Sequence, residues 1–131
     1  MAQQDVDQVR RAMEHWLRTG DALWADLDPD FEVVDHDIPD AGTYRGQDGF
    51  RQWMADFEAA WESFTVEPQE YIDAGDGKVV VLLRLLATGR GSGVSLERLD
   101  ATVWTVRDGK SLRLDYYNNP AAALRAVGLR E

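Results

Sequence analysis

Asp35, His36, Asp37 and Asp40 stand within six positions, immediately after the apolar-rich stretch Phe31–Val34. A carboxylate at the lip of an apolar cavity loses hydration in its charged form, so it becomes a usable proton shuttle. On these grounds Asp35 is the candidate general base. His36 is the alternate base, because its ring titrates near neutral pH without help from neighbours. Successive strand residues face opposite ways, so a regular strand sends only one of the two into a pocket. Asp37 could share the face of Asp35, where two close carboxylates would push one of them up. The chain is by then nearing Pro39, however, and Asp37 and Asp40 read as a solvated junction. The plain alternative for Asp35 is a strand end whose carboxylate holds local backbone N–H groups.

A second set lies further along. In "ERLD", Arg98 and Asp100 are spaced to share one strand face with Thr102 and Trp104, and Asp115 belongs to the next strand. Asp100 and Asp115 are catalytic candidates; the competing use is a cross-strand ion pair. Arg84 is the sole charge in "VVVLLRLLA". An unpaired guanidinium there is costly, so Glu97, Asp100 or a ligand carboxylate is expected beside it. Trp16, Trp53, Phe57, Trp104 and Tyr117 are the aromatic candidates for a substrate-binding wall, with core packing as the ordinary use of each.

The elements that must position these groups follow from periodicity. Val6, Val9, Met13, Trp16 and Leu17 fall on one helical face and predict a first helix over Asp5–Thr19, stopped by Gly20. Asp21 is expected to cap a short second helix carrying Leu23, Trp24 and Leu27. After "DPD", Phe31–His36 reads as a strand, followed by a loop around Pro39 and Gly42. Phe50, Trp53, Met54, Phe57 and Trp61, spaced by threes and fours, predict a third helix. The remainder reads as a meander: Thr65–Asp73, with Pro68 marking an edge or bulge, then Val79–Leu86, Val94–Val106 and Ser111–Asn118. Its turns are "AGDGK", "GRGSG" and "RDGK". The "GRGSG" loop lies between strands and precedes no helix, so it reads as a hairpin tip and not a phosphate cradle. Asn119, Pro120 and Gly128 frame a closing helix.

Residues 1–131 thus make one α+β domain, with no repeat or linker that would divide it. Fourteen Lys and Arg against 24 Asp and Glu give a formal charge of −10. Such a surface repels phosphate backbones and anionic lipid, so neither nucleic acid nor membrane is expected as a partner. The absence of cysteine rules out disulfides and thiolate chemistry, and two histidines make a His-rich metal site an unexpected feature. With no apolar run of membrane-spanning length and no leader pattern, a cytoplasmic protein is expected.

The order of elements, the "YRG" before the third helix and the "VWTVRDGK" hairpin resemble SnoaL-like polyketide cyclase domains. These belong to the superfamily of nuclear transport factor 2 and ketosteroid isomerase. The resemblance runs from about Asp5 to Leu129. It implies a cystatin-like α+β barrel: a cone-shaped, curved antiparallel sheet wrapped around the N-terminal helices, with a pocket for a small apolar molecule. It also implies a homodimer joined through the open sheet face. The activity it implies is cofactor-independent isomerisation, cyclisation or dehydration, with a non-catalytic binding module as the alternative. Asp35 falls where ketosteroid isomerase carries its base. The isomerase's first-helix tyrosine is replaced by Met13, and its second aspartate falls near Ala101 or Thr102, beside Asp100. A further resemblance, of "LDYYNN" to the final strand of limonene epoxide hydrolase, would give Asp115 a role in water activation with Arg98 and Asp100. In that enzyme the Arg-x-Asp pair lies one strand earlier, where this chain has Val79, Val80 and Val81.

Overall fold

A computed structural model describes residues 2–37 and 43–129. Asp40, with Pro39 and Gly42, lies outside the described residues. Helix α1 (Ala2–Thr19) buries Val6, Val9, Met13 and Trp16, while Leu17 ends up 40% exposed. It stops as expected: Gly20 takes φ +80° and its N–H bonds back to the Trp16 carbonyl at 2.7 Å. The second helix is only a 3-10 turn, Trp24–Asp26. The Asp21 carboxylate is instead engaged by the Ala22 N–H and the Trp24 indole.

Strand β1 (Leu27–Asp35) begins four residues earlier than the apolar pattern suggests, and its pairing slips between Leu27 and Glu32. Pro29 occupies that slip, where a residue without an N–H does least harm. A three-residue strand, β2 (Thr43–Arg45), precedes helix α2 (Gly46–Ala59). Trp61 is not helical; it opens β3 (Trp61–Gly75). Then follow β4 (Lys78–Gly89), β5 (Ser95–Arg107), β6 (Lys110–Tyr117) and helix α3 (Pro120–Ala126). Asp76–Gly77 and Asp108–Gly109 all have positive φ, the left-handed pair that tight two-residue hairpins require. Asn119 caps α3 by accepting from Ala121 and Ala122.

The strand order is β2-β1-β6-β5-β4-β3. All pairings are antiparallel except β1 with β6, which is parallel, so the sheet is mixed. The exception arises because α2 and four strands intervene before the chain returns beside β1. Pro68 sits at a slip in the edge strand β3. Helices α1 and α2 cover one face, here called inner, over Phe31, Val33, Val66, Val79, Val81, Leu83, Leu85, Trp104 and Leu114. The outer face carries a smaller cluster of Val80, Ala101 and Val103 beneath Ala123 and Leu124 of α3.

Candidate functional site

Strand alternation delivers two carboxylates, Asp35 and Asp100, to one inner corner, and a third follows in the turn after β1. Asp35, the last residue of β1, is 6% exposed. Its Oδ2 accepts from the Trp53 indole of α2 at 2.8 Å, and its Oδ1 from the Asp37 backbone N–H at 3.0 Å. In register, Asp35 lies beside Tyr116 on β6, and Tyr116 beside Thr102 on β5. Two residues before Thr102, Asp100 is fully buried. Arg98 clasps it through two bonds, Nε to Oδ1 at 2.6 Å and Nη2 to Oδ2 at 3.1 Å. The Tyr116 hydroxyl donates to the same carboxylate. Burial, and after it the Asp100 charge and hydrogen bond, push the Tyr116 phenol above its ordinary range, so it remains a proton donor.

The third carboxylate belongs to Asp37, whose side chain is exposed. The His36 N–H bonds to the Tyr116 carbonyl at 3.0 Å, and the chain then turns, with the Asp37 N–H held by Asp35 Oδ1. Partial loss of hydration and then the Asp35 charge push the Asp37 carboxyl up to about 6; Arg98 pulls the other way. Asp37 nonetheless lies exposed in the turn after β1, as a solvated strand-to-loop junction requires.

Aromatic rings form the wall over this corner. Trp53 lies 5.7 Å from Tyr116 and 6.0 Å from Trp16 between ring centroids, and Phe57 lies 5.9 Å from Tyr116. Between them and Val66 remains a void of about 10 Å³, space for one water at most. Trp16, Met54 and Val66 also line a cleft of about 500 Å³ between α1, α2 and β3, with Glu58 and Phe64 at its edge. Trp104 lies apart, tilted against Phe31 with its indole bonded to Thr102 at 3.1 Å.

Besides Trp104, four expected site residues are not at this corner. His36 and Asp115 meet on the outer face at 2.8 Å, and Arg113 clasps Asp115 there at 2.8 and 3.0 Å. Tyr117 stacks on His36, centroids 4.2 Å apart. Asp115 and Asp100 therefore face opposite sides of the sheet, and no Asp-Arg-Asp arrangement forms from Arg98, Asp100 and Asp115. Arg84 is also outward, 2.7 Å from Glu97 and 3.7 Å from Glu67, so its charge is balanced at the surface. Tyr116 went unnamed among the aromatic candidates although a signal existed. In "LRLDYY" the alternation Leu112, Leu114, Tyr116 marks the apolar parity, which excludes Tyr117.

With this geometry in place, comparison becomes informative. Residues 9–114 match the SnoaL-like domain family. The chain belongs to that family. No curated protein matches it in sequence. Among solved structures, a nuclear transport factor 2-like protein from Burkholderia thailandensis E264 is 28% identical with a TM-score of 0.74, over 93% of this chain and 95% of that one. TerC, co-crystallized with polyporic acid, is 22% identical with a TM-score of 0.73, over 95% and 98%. A protein from Catenulispora acidiphila DSM 44928 with a ketosteroid isomerase-like fold, in complex with trimethylamine, is 21% identical with a TM-score of 0.67, over 90% and 92%. The shared α+β fold is what these likenesses establish for the SnoaL-like chain. Among its described residues no helix is long and apolar enough to cross a membrane.

Proposed function

We propose that this SnoaL-like domain binds a small, mainly apolar molecule in the cleft beside Trp16 and catalyses cofactor-independent proton transfer, with Asp35 as the base. The observation that carries the reading is the buried Asp35 carboxylate, oriented by Trp53 and set beside the Tyr116–Asp100–Arg98 chain. In this reading Asp35 removes a proton from carbon next to a carbonyl. Tyr116 turns its O–H from Asp100 to the oxygen on which negative charge develops, the kind of stabilisation that lowers such barriers most. This reading requires Trp53 and Phe57 to move aside, since only about 10 Å³ is open beside Tyr116. That solved structures of this fold contain polyporic acid and trimethylamine supports small-molecule binding in general.

The test is deuterium uptake from D2O by a panel of cyclic and aryl ketones. The protein is expected to accelerate uptake by at least one of them, and Asp35→Asn to lower that rate by about a hundredfold or more with an unchanged circular dichroism spectrum. Equal rates in the two proteins overturn the assignment.

A second reading, a binding module without turnover, is favoured by the aromatic packing that leaves only about 10 Å³ beside Tyr116. It predicts quenching of tryptophan fluorescence by the ketones with no uptake of label. Homodimerisation through the outer face is also proposed, supported by half-buried Leu82 and Leu86 beside Leu99, which is 58% exposed. Light scattering that gives a monomer mass at micromolar concentration would refute it.

A further inference from the structure

A ligand in the cleft reaches Asp35 when the aromatic wall opens, and helix α2 supplies Trp53, Met54 and Phe57 of that wall. The two ends of α2 are held very differently. At its first turn, Gly49 lies so close to Tyr44 that an added Cβ would stand 2.8 Å from the Tyr44 carbonyl carbon. Phe50 packs there among Trp16, Trp24 and Trp53, at centroid distances of 6.2, 5.5 and 5.9 Å. After Met54 no residue of α2 is buried. Phe57 reaches across to Phe64 of β3, centroids 5.1 Å apart. The strand beyond starts loosely, since its pairing with β4 slips between Trp61 and Ser63. The seam between α2 and β3, with Glu58 and Phe64 on the cleft, is therefore the weakly held side of the entrance.

The hairpin tip "GRGSG" reaches this seam. Gly89 opposes Trp61 in the β3–β4 ladder, and Arg90 follows it. Arg90 Nε donates to the Ala59 carbonyl at 3.1 Å, and its Nη2 to the Trp61 carbonyl at 2.8 Å. Ala59 is the last residue of α2, so the guanidinium stands where open carbonyls and the helix dipole favour a cation. Among the described residues, no other side chain hydrogen-bonds to residues 57–61. The tip itself is fixed by bonds from the Gly89 N–H to the Val94 carbonyl at 2.9 Å and from the Gly93 N–H to the Gly89 carbonyl at 3.1 Å.

We propose that Arg90 is the latch of the ligand entrance. While it holds Ala59 and Trp61, the last turn of α2 keeps Phe57 against Tyr116, 5.9 Å between centroids. Its release lets that turn carry Phe57 away and gives Trp53 room to tilt. The inference rests on the binding and proton-transfer reading above and adds control of access to the same site. Arg90 is exposed, so water competes for both of its bonds and the latch opens without unfolding the helix. Arg90 is a positioning residue that acts through Phe57, on access and not on the proton transfer.

Two measurements test this, the first without any substrate. In amide hydrogen exchange, Arg90→Ala is expected to speed exchange at residues 57–61 about fivefold, with wild-type rates at Phe50 and Trp53 and at Gly89 and Gly93 of the tip. Arg90→Lys, which keeps the charge but not the two-pronged donor, should fall between. In the second, stopped-flow quenching of tryptophan fluorescence by 2-acetylnaphthalene reports association. Its rate is expected to rise about fivefold in Arg90→Ala, while deuterium uptake at saturating ketone stays at the wild-type rate. Unchanged exchange at residues 57–61 overturns the latch and leaves the role of Asp35 standing. Faster exchange with an unchanged association rate overturns control of the entrance by Arg90. Absence of quenching in the wild type removes the binding reading, and the entrance with it, whatever the exchange shows.

Discussion

The tripeptide Arg-Leu-Asp occurs twice, as Arg98–Asp100 on β5 and Arg113–Asp115 on β6. In both copies the arginine clasps the aspartate two residues on through two bonds. The resemblance ends there. Asp100 faces inward, has no exposed side-chain surface and takes its third partner from Tyr116. Asp115 faces outward and is itself buried, but its partners Arg113 and His36 are 41% and 34% exposed. The leucines reverse with them: Leu99 is 58% exposed, Leu114 completely buried. The same three residues make a closed inner site on one strand and, on its neighbour, a network whose cations reach solvent. Which face the pleat presents decides between the two.

Breaking the first pair should therefore cost far more than breaking the second. Asp100→Ala strands a guanidinium and a phenol in the interior and is expected to lower stability by about 3 kcal/mol or more, read from urea denaturation. Asp115→Ala, which leaves Arg113 and His36 partly exposed and open to hydration, is expected to cost less, about 1–2 kcal/mol. Near-equal losses would break the comparison. A smaller contrast tests the Asp35 hydrogen bond. Trp53→Phe retains the ring but removes the donor and should cost about 1–2 kcal/mol, whereas His36→Ala on the outer face should cost less than about 1 kcal/mol.

The smallest expected effect is a pH dependence set by Asp37, in the turn after β1. Asp37 binds its proton more tightly in the folded protein, at about 6, than in the unfolded chain, near 3.8. Between these values the native state holds more protons, so this contribution to stability is present below about pH 4 and is lost as pH rises towards 6. Asp37→Asn should flatten the slope in that window. A variant whose thermal midpoints follow the wild-type slope would contradict it.

Much of the fold is legible from local chemistry. The buried faces of α1 and α2 follow three-and-four spacing, and the Asp-Gly turns and the Asn119–Pro120 start of α3 carry their own signals. The parallel pairing of β1 with β6, the short β2 and the early start of β1 are not legible, because they depend on contacts distant in sequence. Trp61 fits the helical spacing of Phe50, Trp53 and Phe57, yet the sheet takes it as the first residue of β3. For the site, alternation predicts that Asp35 and His36 part company, as they do. The hydrogen bonds of Trp53 and Tyr116 were beyond it, since they join elements whose relative placement only the packed structure defines. Asp37 reads as part of a solvated junction because Pro39 follows closely, and it does lie exposed in the turn after β1.

The most direct test of the central claim compares the two faces in one assay. Deuterium uptake by a responsive ketone is measured for Asp35→Asn and Asp115→Asn beside the wild type. The account predicts a fall of about a hundredfold or more for Asp35→Asn and a wild-type rate for Asp115→Asn. A wild-type rate for Asp35→Asn, or a comparable fall for Asp115→Asn, would contradict the inner corner as the seat of the chemistry.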